Sequence, residues 1–125
     1  MTSSRVPRNG SLRRPLPDEA IEVIAARLRV IGEPMRIRLM GLLDQGDAGV
    51  QELAARLGTT HQNVSRHLGV LYQAGMVSRR RDGTGVRYSL VDWTGWWLVE
   101  QIGASVLSQL DELRDALSDH ACPAG

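Results

Sequence analysis

The chain has 125 residues, 42% of them hydrophobic and 23% charged, with 4% aromatics and no Phe. That suits one compact domain with a modest core of Leu, Val, Ile and Ala, which dimerisation would supplement. Cys122 is the single cysteine, which excludes an intrachain disulfide, and no apolar run approaches the roughly 20 residues of a membrane-spanning helix.

The net charge of +1 hides an asymmetry, because residues 1–90 hold fourteen Arg against eight acids and residues 91–125 hold one Arg against six acids. The basic part is a candidate surface for nucleic acid, and the acidic part is expected to face away from it. All fifteen basic residues are Arg, which favours planar, bidentate contacts to phosphate and guanine. A GC-rich coding sequence accounts for the same bias more plainly. The N-terminal arginines precede no apolar stretch of the signal-peptide kind, so a reducing cytoplasm is the expected compartment.

Residues 1–17 place Arg5, Arg8, Arg13 and Arg14 among Ser, Pro and Gly, the composition of a disordered basic arm. Asp18 is the expected N-cap of a first helix, with Glu19 and Glu22 in its first turn. Ile21, Ile24, Leu28 and Ile31 form one apolar stripe along it. Gly32 ends this helix, and Pro34 suits the first position of a second, which runs to about Asp44 and buries Met35, Leu39, Leu42 and Leu43. After the break at 46–49 comes a short third helix, Val50 to Leu57, with Val50, Leu53, Ala54 and Leu57 inward. Gly58 allows a tight turn. Thr59 and Gln62 make a capping-box pattern for a fourth helix, which buries Val64, Leu68 and Leu71 and ends at Gly75. The period then changes from helical to alternating. Val77 to Arg81 is expected to pair with Val86 to Leu90 across Asp82-Gly83-Thr84-Gly85 as a β-hairpin. From Gly95 a last helix carries Trp96, Val99, Gly103, Val106, Leu110, Leu113 and Leu117 at alternating steps of three and four. This unbroken 3.5-residue seam, roughly 33 Å long, is the pattern of a helix packing along a partner helix. Residues 118–125 are expected to form a flexible tail.

A helix, a glycine turn, a capped helix and a basic hairpin, in that order, make a winged helix-turn-helix. The fold class expected is therefore mainly α with a small β-hairpin, in one domain over residues 18–117. With Val64, Leu68 and Leu71 inward, the fourth helix turns Gln62, Arg66, Gly69 and Gln73 outward, flanked by Asn63 and Ser65. Thr60 and His61 lie at its start, where a recognition helix comes nearest the bases. Gln and Asn can pair with adenine and Arg with guanine. Arg79, Arg80, Arg81 and Arg87, with Thr84 in the turn, make the hairpin a candidate for phosphate contacts that position the protein without specifying sequence.

Ile31-Gly32-Glu33-Pro34-Met35-Arg36-Ile37-Arg38-Leu39 resembles the "LGDPTRLRIL" signature of ArsR/SmtB-type repressors. Val50-Gln51-Glu52-Leu53-Ala54 and Asn63-Val64-Ser65-Arg66-His67-Leu68 resemble that family's helix-turn-helix. Leu71 to Val77, with Gly83 and Tyr88, resembles its helix end and wing. The resemblance covers roughly residues 20–117. It implies a homodimer built from the first and last helices that holds operator DNA until an effector releases it, in agreement with the stripes over 21–31 and 96–117. The interface expected is thus Ile21, Ile24 and Leu28 with the seam from Trp96 to Leu117.

The resemblance supplies no effector here. Where metal-sensing members often carry a Cys-x-Cys type box, this chain has Glu52-Leu53-Ala54-Ala55-Arg56, and its last helix has no His before His120. Neither a metal site nor a cofactor is expected. Asp119, His120 and Cys122 are suitable zinc or nickel ligands, but they are read as an unstructured tail. Gly69 stands where the family often has Lys, which removes one phosphate contact. His67 reads as a packing residue. Trp93, Trp96 and Trp97 read as packing too, with a pocket for an apolar effector as the alternative. Asp111, Glu112 and Asp115 form a solvated face. With no phosphate loop and no nucleophile beside a base, the chain is not expected to be an enzyme. The reading is a homodimeric repressor that binds double-stranded, pseudo-palindromic operator DNA. The alternative is a winged-helix module that binds a protein partner.

Overall fold

In the computed structural model, residues 15–121 are described, with side chains to Asp119. The elements run α1 (Asp18–Ile31), α2 (Pro34–Gln45), β1 (Ala48–Gly49), α3 (Val50–Leu57), α4 (His61–Gln73), β2 (Val77–Asp82), β3 (Gly85–Leu90) and α5 (Trp93–Ala121).

The helix boundaries follow from local hydrogen bonding. Pro17, in extended conformation, occupies the N-cap position of α1, so Asp18 opens the helix as its first residue rather than capping it. At the other end Arg36 supplies what the last turn lacks: its Nε donates to the Val30 carbonyl at 2.6 Å and its Nη2 to the Arg29 carbonyl at 3.4 Å. Glu33 caps α2 by accepting from the amides of Met35 at 2.7 Å and Arg36 at 3.2 Å, with Pro34 at the first helical position as expected. Desolvation alone would raise the Glu33 pKa. The Arg36 and Met35 amides, His67 and Arg36 together outweigh it and hold the carboxyl below its ordinary value.

The turn between α3 and α4 corrects the expected capping box. Gly58 takes the left-handed conformation, φ 64°, and the Thr59 amide donates back to the Ala54 carbonyl at 3.1 Å. Thr59 therefore belongs to the closure of α3, and the N-cap falls one residue later on Thr60, whose Oγ1 accepts from the Asn63 amide at 3.0 Å. The same closure recurs after α4, where Ala74 is the C-cap and Gly75 the residue beyond it. Met76 N–H donates to the Leu71 carbonyl at 2.9 Å, and Gly75 N–H to that of Tyr72 at 3.0 Å.

The hairpin forms in the expected register, from Val77 opposite Leu90 to Asp82 opposite Gly85, and closes through a two-residue loop, Gly83-Thr84. Gly83 has φ 66°, as a tight hairpin loop requires. The sheet has three strands rather than two, in the order β1-β3-β2, because Ala48 and Gly49 pair with Tyr88 and Arg87. Helix α5 begins two residues before Gly95. Asp92 caps it by accepting from the Gly95 amide at 2.9 Å. The helix continues through Ala121, so residues 118–121 extend it rather than fraying, and the rest of the expected tail lies outside the described residues. The expected basic arm lies outside them up to residue 14.

The core sits where α2, α3 and α4 meet the base of the sheet. Leu39, Met40, Leu53, Val64, Leu68, Leu71 and Met76 are fully enclosed there, joined by Leu43, Ala54, Val77, Tyr88, Leu90 and Ile31. Met40 joins Leu39 and Leu43 on the buried face of α2, while Met35 and Leu42 are only half-buried. No helix among the described residues is long and apolar enough to cross a membrane.

Candidate nucleic-acid interface

Core packing of Val64, Leu68 and Leu71 fixes which way α4 faces, leaving Thr60, His61, Gln62, Ser65, Arg66 and Gln73 exposed. Gly69 lies between them with open space where a Cβ would stand. Along this face the side chains are already in contact with one another. Arg66 Nη2 donates to Asn63 Oδ1 at 2.9 Å, and Asn63 Nδ2 donates to Thr59 Oγ1 at 3.1 Å. Both ends of the Asn63 amide are therefore occupied inside the protein. Asn63, which the sequence marks as a reader of adenine, here also contacts Arg66 and steadies its guanidinium. A guanidinium restrained in this way loses less freedom when it engages a base edge.

Arg66 also meets His67, Nη2 to Nε2 at 3.3 Å. His67 is 4% exposed, in accord with its reading as a packing residue. Its Nδ1 lies 3.2 Å from Arg36 Nη1 and 3.9 Å from Glu33 Oε1. A neutral imidazole has one acceptor nitrogen, so it accepts from one of the two guanidinium groups at a time. Burial, reinforced by Arg66 and Arg36 and opposed by Glu33, pushes the His67 pKa below its ordinary value.

The wing arginines divide into three kinds. Arg79 lies over the Tyr72 ring of α4, 4.0 Å from its centroid; the Tyr88 phenol opposite it in the sheet, and after it Tyr72, raise its pKa. Arg80 pairs with Asp47 at 3.0 Å, and this is the first cause of a lowered Asp47 pKa, followed by Ser89. Arg87 is held on three sides: Nη1 to Glu52 Oε1 at 3.0 Å, Nη2 to the Asp47 carbonyl at 2.7 Å, and Nε 3.8 Å from Asp82. Two of the five N–H donors of Arg87 are thus hydrogen-bonded within the chain, and its charge faces the Glu52 and Asp82 carboxylates. Arg81 is exposed and makes no hydrogen bond or ion pair among the described residues, and Thr84 stands exposed at the wing tip.

The Helix-turn-helix domain family matches residues 31–80. The Biofilm growth-associated repressor of Agrobacterium fabrum is 32% identical over 95 residues, covering 76% of this chain and 81% of that protein. The chain belongs to the ArsR/SmtB family. The HTH-type transcriptional regulator KmtR of Mycobacterium tuberculosis is 34% identical over 76 residues, 61% of this chain, and the match spans only 58% of its length. Among solved structures, that of M. tuberculosis Rv0081 is 31% identical, covers 85% of this chain and 100% of the other, and superposes with a TM-score of 0.63.

The faces expected from the sequence to meet a partner subunit are uncovered in the protomer. Ile21, Ile24 and Leu28 on α1, and Val106, Leu110, Leu113 and Leu117 on α5, are all exposed. The first part of the expected seam behaves differently. Trp96 packs over Gly41 of α2, close enough to leave only 3.2 Å to a Cβ built there, and Val99 packs on the same core. Further along α5 Ile102, which falls between the three-and-four steps, is also exposed. Of the three tryptophans only Trp97 reaches the apolar groove of about 240 Å³ between α1 and α5, which it lines with Ile24, Leu28, Ile31 and Leu98. Trp93 and Trp96 pack on the core. No cluster of three potential metal ligands occurs among the described residues; the side chains of His120 and Cys122 lie outside them.

Proposed function

We propose that the protein is a homodimeric transcriptional repressor. Residues 18–117 carry both the DNA-reading surface and the dimer helices, and it works in the cytoplasm on a pseudo-palindromic operator. One α4 enters each of two major grooves whose half-sites lie about 34 Å apart. The observation that carries this reading is the exposed face of α4, where Arg66 is held outward by Asn63 beside the exposed side chains of Gln62 and Ser65. Gln62 and Arg66 read base edges, with His61, Thr60 and Ser65 beside them. Arg81 and Thr84 contact the adjacent backbone, and Arg79 and Arg80 add to the positive field. The family of the chain favours DNA over a protein partner for this surface.

The apolar stripes of α1 and α5 support the dimer, since contiguous apolar surface of this extent is uncommon on a soluble monomer. The test is a fluorescence-anisotropy titration against the protein's own upstream promoter and a scrambled fragment across a salt series. Promoter binding about a hundredfold tighter, with a steep salt slope, is expected. Equal binding to both fragments would overturn the proposal.

A further inference from the structure

Arg87 and Arg80 stand directly opposite each other in the sheet, an arrangement that costs stability unless anions intervene. The two are not equivalent. The Arg80 side chain is 59% exposed and has one carboxylate partner; that of Arg87 is 30% exposed and faces three acceptors. One of these closes a ring. Glu52 Oε1 accepts from Arg87 Nη1 at 3.0 Å and from the Gly49 amide at 3.1 Å, while Gly49 pairs with Arg87 in the sheet. The Gly49 amide, and after it Arg87, hold the Glu52 pKa below its ordinary value. Gly49 is also the residue from which α3 starts. Beyond this rung the hairpin has no third strand, because β1 pairs only with Tyr88 and Arg87. The ring therefore lies where the supported sheet gives way to the free wing.

We propose that Arg87 is a positioning residue: locked to Glu52 and the Asp47 carbonyl, it fastens the root of the wing to the start of α3. It thereby sets where the wing meets the DNA backbone, without itself touching a phosphate. This rests on the DNA-binding reading above. A guanidinium suits the task because its planar fork serves two acceptors at once, whereas an ammonium on a flexible stem is a point charge.

The test measures promoter affinity and its salt slope for the full chain, in wild type, Arg87→Lys, Arg87→Gln, Glu52→Ala and the double variant Arg87→Lys, Glu52→Ala. Wing amide exchange is followed in parallel. Arg87→Lys keeps the charge, so a phosphate contact would largely survive it. The expected result is an about tenfold loss of promoter affinity with the salt slope unchanged, and faster exchange over residues 80–87 than in wild type. In the Glu52→Ala background the same change is expected to cost less than about twofold. Undiminished affinity in Arg87→Lys would overturn the proposal, as would an equal loss in both backgrounds. So would a salt slope shallower by about 0.9 in Arg87→Gln, the mark of a lost phosphate contact. Should wild type bind promoter and scrambled DNA alike, the DNA-binding reading fails. The clamp is then judged on exchange alone, and wing exchange unchanged by Arg87→Lys overturns it.

Discussion

The double substitution Leu113→Ala, Leu117→Ala tests the dimer where the protomer has least stake in the outcome. Within one protomer these side chains are 55% and 60% exposed and lie far along α5 from the core. Their loss costs the isolated fold little, and alanine maintains the helix. Each change removes three carbons, worth about 0.8 kcal/mol apiece when fully buried. Since only the exposed part remains for a partner to cover, each residue contributes about 1.3 kcal/mol. A two-fold interface contains each change twice. The total is about 5 kcal/mol, which raises the dimer Kd by roughly three to four orders of magnitude. Sedimentation equilibrium over a concentration series reads this directly, and far-UV circular dichroism reports whether α5 persists. Val86→Ala truncates an exposed apolar side chain at the wing, away from α1 and α5, and is the control that leaves association unchanged. Unaltered association in the double variant, with helix content maintained, would refute the assignment of this face to a second subunit.

Four further outcomes are expected. Thr60→Ala removes the cap on the Asn63 amide and costs about 1 kcal/mol in urea unfolding; a larger loss from Thr59→Ala would return the cap to the position expected from sequence. Gly69→Arg meets no obstruction, so anisotropy with random DNA should show tighter binding and a salt slope steeper by about one. Arg66→Ala should weaken promoter binding by about 1–3 kcal/mol while leaving random DNA largely unaffected, and Arg81→Ala should weaken both and flatten the salt slope. His67 has its pKa lowered in the fold by burial, with Arg66 and Arg36 reinforcing and Glu33 opposing. The unfolded chain therefore takes up a proton at higher pH than the native state, and stability falls as pH drops through the unperturbed value of 6.5. Thermal melts across that range should show this dependence, reduced in His67→Gln; an unreduced dependence would remove His67 from the account.

The parts of the fold legible in the sequence are those fixed by local periodicity and by turn chemistry. The stripe through Val64, Leu68 and Leu71 gives α4 both its existence and its facing, and Asp82 to Gly85 set the hairpin register. The misses have local competition in common. Thr59 and Thr60 are equally good caps, and the choice is made by a hydrogen bond from Thr59 back to Ala54, which closes α3. Strand β1 has two residues, too few for any alternation to show, and its partners Arg87 and Tyr88 are about forty positions away. The seam of α5 is continuous as a pattern, but its first members, Trp96 and Val99, pack on Gly41 and the core within the protomer.

The candidate site was legible as residue types and not as states of engagement. Sequence places five arginines, Arg66, Arg79, Arg80, Arg81 and Arg87, on one surface, and periodicity cannot rank them. What separates them is which acceptor lies within reach: Asn63 one turn away for Arg66, Tyr72 for Arg79, Asp47 for Arg80, and Glu52 with Asp47 for Arg87. Three of these four link the wing to α4, α3 or the segment before α3, and such contacts carry no short-range signature. A guanidinium already paired has fewer N–H groups left for a phosphate, and the carboxylate beside it repels the DNA backbone. The wing arginines are therefore expected to contribute unequally to DNA binding, and Arg81, unpaired among the described residues, is the one whose loss the salt dependence should register most fully.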